Sequence, residues 1–162
     1  MTKLETKTVL NALAVTSFLG LMTYLLTVEQ QKAVSSTSLV QGTKTIINQD
    51  SYGNYIAKGT IEDFDCSMLI DTGASTLVLS ESFALKIGLP KLRQVMVSTA
   101  NGASQGYLSI VRKIQIGNLQ GENIDAVVVP NIEIPHVLVG MSFLKNINFE
   151  KSGRQLILQP GS

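Results

Sequence analysis

Asp71-Thr72-Gly73 is the one place in this chain where an aspartate is followed at once by a hydroxyl residue and a glycine. Met68-Leu69-Ile70 before it are apolar and read as a buried strand, while Ala74-Ser75-Thr76 after it are small. A strand that stops on a carboxylate puts an acid or base at a defined position. Gly73 lacks a Cβ, so its backbone N–H can approach that carboxylate and donate to it. One carboxylate can take or give a single proton. Two held a few ångström apart cannot both ionise, so they share a proton, and one serves as base while the other serves as acid toward a water. The plain alternative is a polar turn between two strands. By ordinary residue usage Asp-(Thr/Ser)-Gly arises by chance in roughly one chain in ten of this size, and the flanks make coincidence rarer.

No second carboxylate of this kind exists in the chain. The other aspartates lie in Asp50-Ser51-Tyr52, Asp63-Phe64-Asp65-Cys66 and Asp125-Ala126, none followed by Thr/Ser-Gly. The run 68–76 resembles the active-site signature of the aspartic proteases, in the retropepsin-like form that carries one motif per chain. The resemblance implies that Asp71 is catalytic and that Thr72 braces two active-site loops through its hydroxyl. It also implies that Gly73, Ala74 and Ser75 keep the loop small. A single motif then requires a symmetric homodimer, with Asp71 of each subunit meeting on the two-fold axis. Isologous two-fold dimers are also the commonest oligomers.

The chain has 162 residues, 44% of them hydrophobic, and a formal net charge of +1. That fits one modest globular domain with a segment attached. Near-neutral charge without a Lys/Arg cluster argues against nucleic acid as a partner. Cys66 has no second cysteine to pair with, and His136 cannot build a metal site with it at any recognised spacing. Cys66 leads into the apolar run and reads as a small core residue. The resemblance implies that no metal, cofactor or covalent intermediate is required.

Residues 8–28 carry no charge. At ~1.5 Å per residue they would span about 31 Å, matching a hydrocarbon core of ~30 Å. The polar stretch after Val28 is a poor cleavage site, so an uncleaved anchor is expected rather than a removed leader. Lys3 and Lys7 against Lys32 and Lys44 leave the charge balance nearly even. A cytoplasmic tail at 1–7 is favoured because a short tail need not be translocated. Residues 29–44, rich in Ser, Gln and Thr, read as a flexible tether.

From residue 45 the texture becomes short apolar runs divided by Gly, Asn and Asp. Strands are expected at 45–48, 55–61, 68–70, 77–79, 94–98, 108–111, 113–116, 124–129, 137–139 and 155–158. Short helices are expected at 81–87, closed by Gly88 and Pro90, and at 141–145. An all-β domain over 45–162, about 118 residues, is large enough for one core.

Two further segments carry the resemblance. Thr99-Ala100-Asn101-Gly102 lies between strands as a hairpin turn, where retropepsin-like chains place a flap over the substrate. Val137-Leu138-Val139-Gly140 precedes a short helix, and the resemblance implies that Val139 and Gly140 pass beneath Asp71 and pin its loop. The match covers about 45–158 and is nearest to bacterial membrane-anchored members of the family. It implies a retropepsin-like closed β-barrel or sandwich, preceded by one transmembrane helix, acting as a homodimeric endopeptidase on polypeptides. The location implied is the bacterial inner membrane, with the protease domain on the extracytoplasmic side. A non-catalytic peptide-binding or assembly module on the same fold is the alternative. One departure is Glu62-Asp63-Phe64-Asp65, an acidic cluster where a neutral turn is expected.

Overall fold

The computed structural model describes residues 38–41, 43–99, 102–130 and 134–161, all within one compact unit, Ser36–Ser162. The expected tail at 1–7, the anchor at 8–28 and most of the tether lie outside the described residues. Among the described residues no helix is long and apolar enough to cross a membrane.

In chain order the elements are β1 (Ser38–Gln41), β2 (Lys44–Asn48), β3 (Ile56–Ile61), β4 (Phe64–Ile70), β5 (Leu77–Ser80) and α1 (Glu81–Lys86). They continue with β6 (Arg93–Thr99), β7 (Gly102–Ile116), β8 (Leu119–Val129), β9 (Val137–Val139), α2 (Met141–Leu144), β10 (Ile147–Ser152) and β11 (Gln155–Pro160). The domain is all-β with two short helices, as its alternating apolar runs required.

Strands β3-β4-β9-β5-β8-β7 form one sheet that closes when β7 returns to pair with β3, giving a six-stranded barrel. Closure brings two backbones very close. A Cβ on Gly59 would sit 2.1 Å from the Gln115 carbonyl oxygen, so only glycine fits there. A second sheet, β1-β2-β11-β10, packs on the barrel. Its Ile47, Leu156 and Leu158 belong to the same buried cluster as Ile61, Met68, Leu79, Ile114, Val128 and Val139. One core therefore serves both sheets.

The chain departs from its sequence-level reading in several places: β4 begins at Phe64 rather than at 68 and β8 at Leu119 rather than at 124, and three differences go further. Two expected strands, 108–111 and 113–116, are one continuous β7 that begins at Gly102. Part of the stretch read as tether, Ser38–Gln41, is β1, paired antiparallel with β2. β10 has no counterpart in the sequence reading, because nearly all of its residues are exposed and no apolar alternation marks it. It is held instead by its register with β11. The helix α1 begins as expected, with the Ser80 hydroxyl accepting from Phe83 N–H at 3.4 Å, and ends at Gly88 with φ +69°.

Candidate active site

β4 runs parallel to β9, with Met68, Leu69 and Ile70 opposite Val137, Leu138 and Val139. Asp71 is the first residue past the strand. Its N–H donates to the Val139 carbonyl at 3.0 Å, which extends the ladder by one bond. Gly73 N–H donates to Asp71 Oδ1 at 2.9 Å, and Ala74 N–H to the Asp71 carbonyl at 3.2 Å. The carboxylate is thus fixed at both backbone and side chain.

The loop is then clamped from behind. Met141 N–H donates to the Ala74 carbonyl at 2.8 Å and Ser142 N–H to that of Ser75 at 2.9 Å. Just before these two contacts Gly140 passes so close that a Cβ would lie 2.3 Å from the Thr76 carbonyl oxygen and 2.5 Å from that of Ala74. Val139 and Gly140 therefore sit directly against the Asp71 loop. Ser142 was not singled out from sequence. Its Oγ accepts from Leu77 N–H at 3.2 Å and donates to the Asp125 carbonyl at 3.0 Å, tying the loop to β5 and β8. Its partners are 65 and 17 residues away, so no local pattern marks it. Thr72 and Ser75 are exposed, and Ala74 is half-buried.

β6 and β7 form a hairpin in register from Arg93 opposite Leu108 to Thr99 opposite Gly102. Ala100 and Asn101, at its tip, lie outside the described residues. Gly102 has φ +108°, a conformation that suits glycine at a tight turn. The hairpin overhangs the Asp71 loop. Val95, Met96, Val97 and Ser98 on one side, and Asp71, Gly73 and Ala74 on the other, line one cavity of about 660 Å³. Its walls are aliphatic: Val78, Leu108, Val127, Val129, Ile134 and Leu138. Asp71 is the single charged residue in that lining.

The acidic cluster is placed away from this groove. Glu62 and Asp63 form the two-residue turn between β3 and β4, with φ +49° and +67°. Each is matched by a cation on β7. The Arg112 guanidinium meets Glu62 at 3.0 Å and Lys113 Nζ meets Asp63 at 2.9 Å. Seven residues of β4 separate the turn from Asp71, roughly 20 Å at ~3.3 Å per residue. That exceeds a Debye length of ~8 Å in physiological salt.

Burial, reinforced by neighbouring Asp65, pushes the Cys66 thiol up to about 12, which disfavours the reactive thiolate at neutral pH. His136 does line a cavity with Cys66, but its Nδ1 is buried with no hydrogen-bond partner.

Comparison with known proteins agrees with this geometry. The family model described as "gag-polyprotein putative aspartyl protease" matches residues 57–146. An uncharacterised protein from the cobV 5' region of a Sinorhizobium species is 38% identical over 98 residues, 59% of this chain. The chain spans 42% of that relative's length. Among solved structures, the retropepsin-like aspartic protease of Rickettsia conorii superposes with a TM-score of 0.60 at 22% identity, over 78% of this chain and 94% of that one. The EIAV protease complexed with the inhibitor HBY-793 is looser, with a TM-score of 0.46 at 20% identity over 57% and 86%. With the single Asp-Thr-Gly loop seated on a closed barrel under a β-hairpin, and the family model spanning more than half its length, the chain belongs to the retropepsin-like aspartic protease family.

Proposed function

We propose that this protein is a membrane-anchored, homodimeric aspartic endopeptidase. The observation that carries the reading is the setting of Asp71. It lies at the end of β4, pinned by Val139 and Gly73, in an aliphatic groove roofed by the β6–β7 hairpin.

One chain supplies one such carboxylate, and the chemistry needs two. In the dimer the paired Asp71 side chains share a proton. The ionised member takes a proton from the attacking water, while the protonated member hydrogen-bonds the scissile carbonyl. Collapse of the tetrahedral intermediate returns a proton to the leaving nitrogen. Thr72, exposed beside Asp71, braces the two loops across the two-fold axis. An extended peptide lies as a strand between hairpin and floor, held by backbone hydrogen bonds with aliphatic pockets for alternate side chains. The lining selects apolar side chains next to the scissile bond.

Residues 8–28 anchor the chain in the bacterial inner membrane, with the protease domain on the extracytoplasmic side. Confinement to one membrane raises the effective concentration of subunits, so a modest dimer affinity suffices.

The test is cleavage of a complex peptide library by wild type and Asp71→Asn, read by mass spectrometry. Cleavage by wild type alone, next to aliphatic residues, is expected. Peptide binding without cleavage by either protein would instead make the chain a binding module on a protease fold.

A further inference from the structure

Among the described residues two polar side-chain atoms are buried without a hydrogen-bond partner, the Tyr55 hydroxyl and His136 Nδ1. A buried, unpaired nitrogen costs stability unless something meets it. His136 lines a cavity of about 380 Å³ whose lining shares only Ile134 with the groove over Asp71. It is a separate site. Small-molecule sites run from ~300 to ~1,000 Å³, so this one suits a ligand the size of an amino acid or a dipeptide.

The lining names the class of ligand. Ser80, 5% exposed, brings a buried hydroxyl whose own contacts are long, 3.1 Å to Ser82 Oγ and 3.4 Å from Phe83 N–H. Phe83, Ile134 and Val137 supply an apolar wall. Asp65 and Lys86, both exposed, bring one negative and one positive charge to the same cavity. They do not meet: among the described residues neither takes part in an ion pair. A simple anion would face the Asp65 carboxylate, and a simple cation the Lys86 ammonium. A zwitterion answers both charges, with its apolar body on the Phe83 side and a polar atom reaching His136.

We propose that this cavity binds a small zwitterion with an apolar body, a free amino acid or a dipeptide, held between Asp65 and Lys86 against His136. The site lies outside the catalytic groove, and binding there does not depend on the protease reading above. It is nonetheless placed to bear on the groove. Ile134 walls both, and on β9 Val137 lines the cavity while the next residue, Leu138, lines the groove.

The chain has a single histidine, so its imidazole NMR signals report on this cavity alone. The full chain, carrying isotope-labelled histidine and held in detergent micelles, is titrated with the dipeptide leucyl-leucine. Wild type, Lys86→Ala, Asp65→Asn and Asp71→Asn are compared, with thermal melting as a check on folding. Wild type is expected to show a saturable shift of the His136 signals with a Kd of about 1 mM or below. Asp71→Asn should bind equally well, which keeps this result apart from the protease test. Lys86→Ala and Asp65→Asn should each weaken binding about fivefold, the reach of an exposed charge pair. Leucyl-leucine amide, which lacks the carboxylate, should bind wild type as weakly as the dipeptide binds Lys86→Ala, and should lose nothing further in that variant. His136 signals that stay still up to about 10 mM dipeptide, as a cavity holding water alone would give, overturn the inference and leave the protease reading standing. A shift that both charge substitutions leave unchanged overturns it too, because the dipeptide then binds elsewhere.

Discussion

Gly140 has no room for a side chain: the carbonyl oxygens of Thr76 and Ala74 already occupy the place where a Cβ would go. Gly140→Ala must push the Asp71 loop off the α2 segment, breaking the Met141 and Ser142 contacts that hold it. A loss of about 2–4 kcal/mol is expected, read by urea denaturation, together with a fall in cleavage. Asp50 shows a different kind of control. Burial by itself would raise its pKa, but hydrogen bonds from Asn54, Tyr52 and Gly53 outweigh that and hold it below 3.8. A carboxylate whose folded pKa lies below its unfolded one adds stability that is fully present above the unfolded value. That stability is lost as pH falls through the folded value. Asp50→Asn should therefore flatten the acid limb: its stability gap to wild type is constant above about pH 5 and closes on acidification below 3.8. Of these residues, Asp71, Thr72 and Gly73 were legible in the sequence because their chemistry is local and contiguous. Ser142 and Asp50 were not, since Ser142 acts on partners far along the chain and the Asp50 turn looks like any polar loop.

At the level of elements, alternation of apolar residues, the mark of one-sided burial, located most of the strands, and it failed where burial is absent. β9, with Val137 and Val139 buried and Leu138 facing the groove, was read at its true limits. β10 is almost wholly exposed and β1 is only four residues long, so their pairing partners alone reveal them. The flap is the instructive case. Its apolar residues and Asn-Gly turn were visible, yet its length was underestimated, because Ala103–Gly106 lack the β-branched residues that mark a strand and are held by β6 alone. β6 contributes none of the buried core residues, so its side chains are free to serve the groove. Val97→Ser should then leave global stability nearly unchanged while lowering kcat/KM about tenfold. The tenfold figure corresponds to the ~1–1.5 kcal/mol of one lost aliphatic contact with substrate. Cleavage kinetics beside a denaturation curve separate the two effects. The acidic turn between β3 and β4 bears on the same scale: its charges are answered by Arg112 and Lys113 at the far end of the barrel, a pairing that joins residues 50 positions apart.

On the dimeric reading proposed above, one chain supplies half of a catalytic site. Barrel closure at Gly59, the shared core beneath both sheets and the clamp of α2 on the Asp71 loop build one carboxylate into a defined place. Nothing in one subunit provides the second, since no other aspartate is followed by the same loop. Mixing is the most direct measurement of that claim. Wild-type chain at fixed concentration, well above its dimer constant and with substrate in excess, is incubated with a tenfold excess of Asp71→Asn chain. If each site is built from two subunits, nearly all wild-type chains enter mixed dimers that lack one carboxylate. Cleavage then falls roughly tenfold. Activity that stays unchanged as the inactive chain is added would show that Asp71 works alone, and would contradict the account.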